Sequence, residues 1–194
     1  MKAISVFCGA NFDGDSLILQ AINDLAEAFI ERDITLVFGG GRVGVMGLMA
    51  DAVLRRGGRA IGVIPQFLMD KEVGHTGLTE LIITDNMHQR KQRMADLSDG
   101  VITLPGGFGT MEEFFEVLTW LQLGLHANPI GLLNVAGFYQ PLLLQLDLMV
   151  EKKFLKPVNR ELVLSHSKPD DLIRMMEKFN AKSDDAWFKD RNLT

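Results

Sequence analysis

Val101-Ile102-Thr103-Leu104-Pro105-Gly106-Gly107-Phe108-Gly109-Thr110-Met111-Glu112-Glu113 runs from an unbroken apolar segment, through a glycine turn, into apolar residues at helical spacing: Phe114, Phe115, Val117, Leu118 and Leu121. The implied order is strand, turn, helix. Three glycines in the turn let a ligand approach the backbone without Cβ interference. The unpaired N–H groups of the following first helical turn favour an anion, phosphate above all. On this reading Glu112 and Glu113 also fall in that first turn. Each then has two roles open to it: a helix cap, in a capping box with Thr110, or an acid beside a phosphate cradle.

The same alternation extends outward in both directions. Residues 3–8 read as a buried strand, 9–15 as a loop, and Ser16 as the N-cap of a helix over 17–32. Strands follow at 35–38 and 60–64, with a glycine-rich turn and a helix between them. Residues 66–79 read as a surface loop carrying Glu72 and His75 as solvated side chains. A strand over 81–84 leads to Asp85-Asn86, which can cap a helix over 87–98 whose Arg90, Lys91 and Arg93 give it positive charge. After the central helix, ended by Gly124, come a strand at 129–133, a helix at 138–153, a short strand at 162–164 and a helix at 168–179. Residues 183–194 form a polar tail. The strands are continuous apolar runs, as in a parallel sheet covered on both faces. The expected fold is therefore α/β, a Rossmann-like parallel sheet with helices on both faces, in a single domain over residues 1–182. Its turns at 9–14, 39–44 and 105–110 should open on one edge, beyond the carboxyl ends of the strands, where ligands bind in such sheets.

Bulk properties exclude several classes. The chain has 194 residues, 47% of them hydrophobic, and no apolar run reaches the ~18 residues of a membrane helix. The first residues lead directly into a strand without a signal peptide's pattern, which suggests the cytoplasm. A net charge of −5 without a basic block argues against nucleic acid. Cys8 is the sole cysteine and reads as a small buried side chain at a strand end. His88, His126 and His166 have no metal-ligand spacing with one another or with Cys8, so no metal is assigned. Gly39, Gly41 and Gly44 formally match a dinucleotide fingerprint. The next strand, however, ends Ile64-Pro65-Gln66, without the acid that would hold a ribose hydroxyl.

Met87-His88-Gln89-Arg90-Lys91, followed by Pro105-Gly106-Gly107-Phe108-Gly109-Thr110-Met111-Glu112-Glu113, resembles the paired motifs of the LONELY GUY family of cytokinin riboside 5′-monophosphate phosphoribohydrolases. The likeness extends from Val6-Phe7-Cys8-Gly9 through Gly39-Gly40-Gly41 and Gly131-Leu132-Leu133-Asn134 to the helix after Phe138. It implies hydrolysis of the N-glycosidic bond of a purine nucleoside 5′-monophosphate, without metal or organic cofactor, by a homodimer. Arg90 and Glu113 are the catalytic pair it implies. Glu72, Lys91, Gly106, Gly107, Phe108, Gly109, Thr110, Met111, Glu112 and Thr119 fall where substrate contacts are expected. Proteins of this kind are often labelled lysine decarboxylases, yet no Schiff-base lysine with a phosphate cup and pyridinium partner is recognisable.

The chemistry of the residues agrees with hydrolysis. Departure of a purine from ribose builds positive charge at the anomeric carbon, which a carboxylate at Glu113 can stabilise, or it can activate the attacking water. Arg90 can orient phosphate or ribose, or hold Glu113 ionised. A nucleosidase for AMP and other purine monophosphates, and a non-catalytic nucleotide-binding module, stand as alternatives. An NAD-dependent oxidoreductase is a distant third.

Overall fold

The structure, a computed structural model, describes residues 1–70 and 74–181. Seven strands run along the chain: β1 (Ala3–Phe7), β2 (Thr35–Phe38), β3 (Ala60–Pro65), β4 (Glu80–Thr84), β5 (Val101–Thr103), β6 (Ile130–Leu133) and β7 (Val163–His166). Between and after them lie α1 (Ser16–Glu31), α2 (Gly44–Arg55), α3 (Gln66–Met69), α4 (Met87–Asp96), α5 (Phe108–Gln122), α6 (Gln140–Glu151), α7 (Pro157–Arg160) and α8 (Pro169–Glu177). The strands form one parallel sheet in the order β4-β3-β2-β1-β5-β6-β7. Strand order therefore reverses at β1. Successive units step one way from β1 to β4, and the chain then returns to β1's other side with β5. Such a switch point leaves a crevice at the carboxyl edge of the sheet, between the turns that follow β1 and β5.

Both faces of the sheet are covered, which is why the strands read as unbroken apolar runs. Ile4, Val6, Leu36, Phe38, Ile102 and Leu104 meet α1, α2 and α8 through side chains such as Leu25, Phe29, Met49, Val53 and Ile173. Their sequence neighbours Phe7, Val37 and Val101, together with Ile130 and Leu132 of β6, belong to the opposite cluster, with Met94 of α4, Phe114, Val117 and Leu121 of α5 and Leu146 of α6. Each such side chain, fully buried, contributes roughly 1.5–3 kcal/mol of transfer free energy. Among the described residues no helix is long and apolar enough to cross a membrane.

Several local details differ from the sequence reading. The N-cap of α1 is Asp15 rather than Ser16: its carboxylate accepts from the N–H groups of Leu17 at 2.7 Å and Ile18 at 3.4 Å. A carboxylate one residue earlier outcompetes the shorter hydroxyl because it also complements the helix dipole. Residues 66–79 are not wholly irregular, since α3 opens the stretch and Gly74 forms an antiparallel bridge with Gly41. His75 is not solvated. Its ring Nε2 lies 3.1 Å from Asp51 of α2, and its N–H donates to the Gly40 carbonyl at 2.8 Å. The helix expected over 138–153 begins at Gln140, after a 3₁₀ turn at Val135–Gly137. The last strand begins one residue later than expected and runs two residues further, and α7 was not anticipated. The polar tail at 183–194 lies outside the described residues.

Candidate active site

α5 begins at Phe108 with Gly107 as its N-cap. Glu112 and Glu113 thus stand in the second turn, and Thr110 is a buried helical residue rather than a cap. The capping-box reading fails because the N-cap is Gly107, three residues earlier than Thr110. No side chain caps this helix. The N–H groups of Phe108, Gly109 and Thr110, orphaned as in any first turn, are left for a ligand. The turn before it is tightly built. Leu104 N–H donates to Phe7 O at 2.9 Å, and Gly9 N–H donates to Pro105 O at 3.1 Å. A Cβ on Gly106 would lie 2.1 Å from Thr110 Oγ1 and 2.9 Å from Gly9 N, so only glycine fits between these two turns.

The Arg90 side chain enters from the opposite side. Asn86 caps α4 by accepting from Gln89 N–H at 3.0 Å, which starts the helix so that Arg90 faces inward. The guanidinium Nε donates to Val63 O of β3 at 3.1 Å, and Nη1 lies 2.8 Å from Glu113 Oε1. A Cβ on Gly39 would sit 2.0 Å from Arg90 Nη2. The glycine at the end of β2 is thus the space the guanidinium occupies. The pair is buried, with side-chain exposures of 9% and 11%. Burial lifts the Glu113 carboxyl above its ordinary 4.5, although the Arg90 charge opposes the rise. Burial also pushes the neighbouring Cys8 thiol far up, with the Glu113 charge adding to it, so this thiol stays protonated and is no nucleophile.

These elements enclose a cavity of about 740 Å³ at the switch point, lined by the turns after β1, β2 and β5. That is the shared edge expected for the three glycine turns. Of the residues singled out from sequence, Arg90, Glu113, Gly106, Gly107, Phe108, Gly109 and Thr110 come together on its wall. Lys91, Met111, Glu112 and Thr119 do not line it. Lys91 turns outward and donates to Glu112 at 2.7 Å and to Glu116 at 2.9 Å, clasping α4 to α5. Burial alone would lower its pKa, but the hydrogen bonds and negative charges of the two carboxylates together outweigh burial and hold the ammonium above its usual range. Met111 packs on the core, and the exposed Thr119 hydroxyl donates to Phe115 O at 2.7 Å. Glu72 lies outside the described residues.

Sequence reasoning missed Phe12, Ile18, Met46 and Phe138, all of which line the cavity. Phe138 carried a signal only in retrospect. It follows Ala136 and Gly137, at φ 49° and 77°, a pair of left-handed residues that turns the chain sharply back. Asn134 Oδ1 accepts from Tyr139 N–H at 2.7 Å, and the buried Tyr139 hydroxyl donates to Leu104 O at 2.6 Å, tying this turn to the Pro105 turn.

Among the described residues no group of three or more His, Cys, Asp or Glu is placed to hold a metal. Among the described residues no lysine lines the cavity, so none of them offers a pyridoxal cofactor a Schiff-base partner there.

Residues 46–176 match the sequence model of a family described as "possible lysine decarboxylase". The chain is 42% identical over 190 residues to cytokinin riboside 5′-monophosphate phosphoribohydrolase LOG5 of Arabidopsis thaliana, covering 98% of this chain and 83% of that one. It is equally identical over 179 residues to the probable phosphoribohydrolase LOGL2 of Oryza sativa subsp. japonica, covering 92% and 73%. Among solved structures, the molybdenum cofactor binding protein of Rippkaea orientalis superposes with a TM-score of 0.68 at 22% identity, over 91% of this chain and 96% of that one. The molybdenum cofactor carrier protein of Chlamydomonas reinhardtii does so at 0.66 and 19%, with the same coverage. These two likenesses concern the fold alone.

Proposed function

We propose a hydrolytic chemistry for this chain, which belongs to the LONELY GUY family of cytokinin riboside 5′-monophosphate phosphoribohydrolases: water cleaves the N-glycosidic bond of a cytokinin riboside 5′-monophosphate, or of a related purine nucleoside 5′-monophosphate. The water oxygen bonds to the anomeric carbon and its proton leaves with the base, giving free base and ribose 5-phosphate. The observation that carries this reading is the buried Arg90–Glu113 pair, 2.8 Å apart, facing the same cavity as the uncapped first turn of α5. That first turn, with Gly107 and Gly109 leaving open space before it, receives the 5′-phosphate. Glu113 then lies beside the ribose. As a carboxylate it stabilises the positive charge that develops at the anomeric carbon, or takes a proton from the attacking water.

Arg90 has a defined part in this. Burial raises the carboxyl's proton affinity, and the guanidinium opposes that rise, keeping the anionic form accessible. Val63 O accepts from the guanidinium Nε at 3.1 Å, an anchor for Arg90 that does not depend on Glu113. A module that only bound nucleotides would have little use for a buried carboxylate beside a phosphate cradle, since the two anions repel.

A homodimer is part of the proposal. Phe114 and Leu121 of α5 are core residues, but Phe115 at 37% exposure, Leu144 at 58% and Leu148 at 42% leave an apolar surface on α5 and α6. Light scattering that returned a monomeric mass would refute it. A cytoplasmic setting follows from the substrate, because nucleoside monophosphates are held inside cells by their charge; the unpaired Cys8 is in keeping with it.

The test is incubation of the purified chain with AMP and with N6-isopentenyladenosine monophosphate, followed by chromatography for released base. Glu113→Gln is expected to bind nucleotide but to lose about 10²-fold or more in turnover. No release from any nucleoside monophosphate would refute the reading, and near-normal release by Glu113→Gln would remove that residue from the mechanism.

A further inference from the structure

The Arg90 guanidinium is placed by two pieces of backbone, Val63 O of β3 and the bare Cα of Gly39, and Gly40 touches both. Gly40 is left-handed, at φ 72°, and rests on β3: a Cβ on Gly62 would lie 2.8 Å from Gly40 Cα, and one on Gly40 would lie 3.4 Å from Val63 N. Residues 74–79 hold this same turn. Gly74 bridges Gly41, and His75 N–H donates to Gly40 O at 2.8 Å. Thr79 fixes the far end of the stretch, its N–H donating to Ala60 O and its Oγ1 accepting from Ala60 N–H, each at 3.0 Å. One side chain then ties the stretch to a helix. His75 Nδ1 accepts from Gly77 N–H at 3.1 Å, which leaves Nε2 to carry the ring's proton and donate to Asp51 Oδ1 of α2, also at 3.1 Å. The His75 side chain is 12% exposed and that of Asp51 49%, and Arg55, one turn on, stands 4.0 Å from the other Asp51 oxygen. Neither His75 nor Asp51 lines the cavity, although the first turn of α2 brings Val45 and Met46 to its wall.

We propose that His75 and Asp51 are positioning residues for Arg90: the imidazole–carboxylate contact holds residues 74–79 on the Gly39–Gly41 turn, and that turn holds the guanidinium against Glu113. A contact with a half-exposed carboxylate adds little to global stability, so its leverage is local. When it is broken, the Gly74–Gly41 bridge and the His75–Gly40 bond lose their tie to α2, and the turn loses its fixed seat on β3. Gly39 then moves relative to Val63 O, and the guanidinium between them shifts with it. For its effect on turnover the proposal rests on the phosphoribohydrolase reading; for its effect on the guanidinium it rests on the contacts alone.

The test measures kcat and KM of the full chain for AMP and N6-isopentenyladenosine monophosphate in two disruptive and two conservative variants. Asp51→Ala removes the acceptor, and His75→Asn keeps an acceptor for Gly77 N–H but falls short of Asp51. His75→Gln still reaches Asp51, and Asp51→Asn keeps a carbonyl oxygen for Nε2–H. The disruptive pair should lose about tenfold in kcat with KM within about twofold of wild type, while the conservative pair keeps most of kcat. In a Gly39→Ala background, where the guanidinium is already displaced, Asp51→Ala should add little. Wild-type kcat in Asp51→Ala, a loss that Asp51→Asn does not restore, or losses that multiply in the double variant would each overturn the proposal. A second readout needs no turnover. The Arg90 Nε–H resonance of the ¹⁵N-labelled chain, identified by its absence from Arg90→Lys, should shift and exchange faster with water in Asp51→Ala; an unmoved signal would also overturn the proposal. Absence of turnover with every nucleotide, by contrast, fails the hydrolase reading itself and leaves the Arg90 resonance to judge the positioning.

Discussion

Gly39→Ala places one methyl group against the buried Arg90 guanidinium without changing either member of the proposed Arg90–Glu113 pair. The backbone at Gly39 is not left-handed, so alanine is sterically allowed there, and the smaller entropy of the unfolded chain stabilises it by about 0.4–1 kcal/mol. The conflict is with Arg90. The new Cβ would lie 2.0 Å from Nη2, and ordinary contact needs 3.4 Å or more, so the guanidinium must retreat by about 1.4 Å. It cannot do so freely, because Nε is tied to Val63 O at 3.1 Å and Nη1 to Glu113 at 2.8 Å. Weakening these charge-assisted bonds in a buried site costs about 1.5–3 kcal/mol, which outweighs the entropic gain and leaves a net loss near 1–2 kcal/mol. In a chain of 194 residues that lowers Tm by about 2–8 °C. Turnover should suffer more than stability, since a displacement of this size at a catalytic group costs about 10²-fold. Thermal unfolding followed by circular dichroism, and kcat on AMP and N6-isopentenyladenosine monophosphate, measure the two effects. Gly107→Ala is the control: its Cβ meets nothing within 4 Å, so the fold should hold while the methyl stands where phosphate approaches, raising KM. A Gly39→Ala variant with wild-type turnover would refute the reasoning that the position of Arg90 matters to the reaction.

Further expectations follow from the same geometry. The Glu113 carboxyl is raised above 4.5 by burial, so the acid limb of kcat/KM against pH should fall above the value of a free carboxyl, and Gly39→Ala should move it higher still. The same shift bears on stability. The folded chain holds this proton to higher pH than the unfolded chain, so stability falls as pH rises from 4.5 through the folded value. Urea titrations between pH 4 and 7 should show Glu113→Gln lacking that component of the slope. Tyr139→Phe leaves the Leu104 carbonyl without its 2.6 Å donor and should cost about 1–3 kcal/mol by chemical denaturation, with a looser Pro105 turn read as a raised KM. Lys91→Met removes a clasp whose ammonium meets a largely exposed Glu112 and a more covered Glu116, outside the cavity. The loss should stay near 0–1 kcal/mol, with nucleotide KM close to wild type, and a large rise in KM would instead make Lys91 a substrate contact.

The strand–turn–helix order around Pro105 was legible because apolar runs, glycine clusters and helical spacing are local signals. So was the parallel, doubly covered sheet, since a strand buried on both faces must be apolar throughout. Where local signals competed, the reading slipped. Ser16 is a good cap in isolation, but Asp15 reaches the same N–H groups with a charge. Glu112 and Glu113 looked like first-turn acids because glycines hid the two helical residues before Thr110. His75 looked solvated because its partner, Asp51, lies 24 positions away in the sequence.

Sequence by itself determined that this chain builds a Rossmann-like sheet with three glycine turns on one edge, a property of residue type and spacing that a chain carries before it folds, whereas the choice of Arg90 and Glu113 is what the family resemblance implies. Only the tertiary structure decided that Arg90 and Glu113, 23 positions apart, meet at 2.8 Å in a buried site while their neighbours Lys91 and Glu112 turn outward. Adjacent residues on a helix point about 100° apart, so which of each pair faces inward depends on how α4 and α5 are set against the sheet. The side chains opposite them, Phe12, Ile18 and Met46, gave no signal at all, because an apolar residue that lines a cavity has the same sequence signature as one that fills a core.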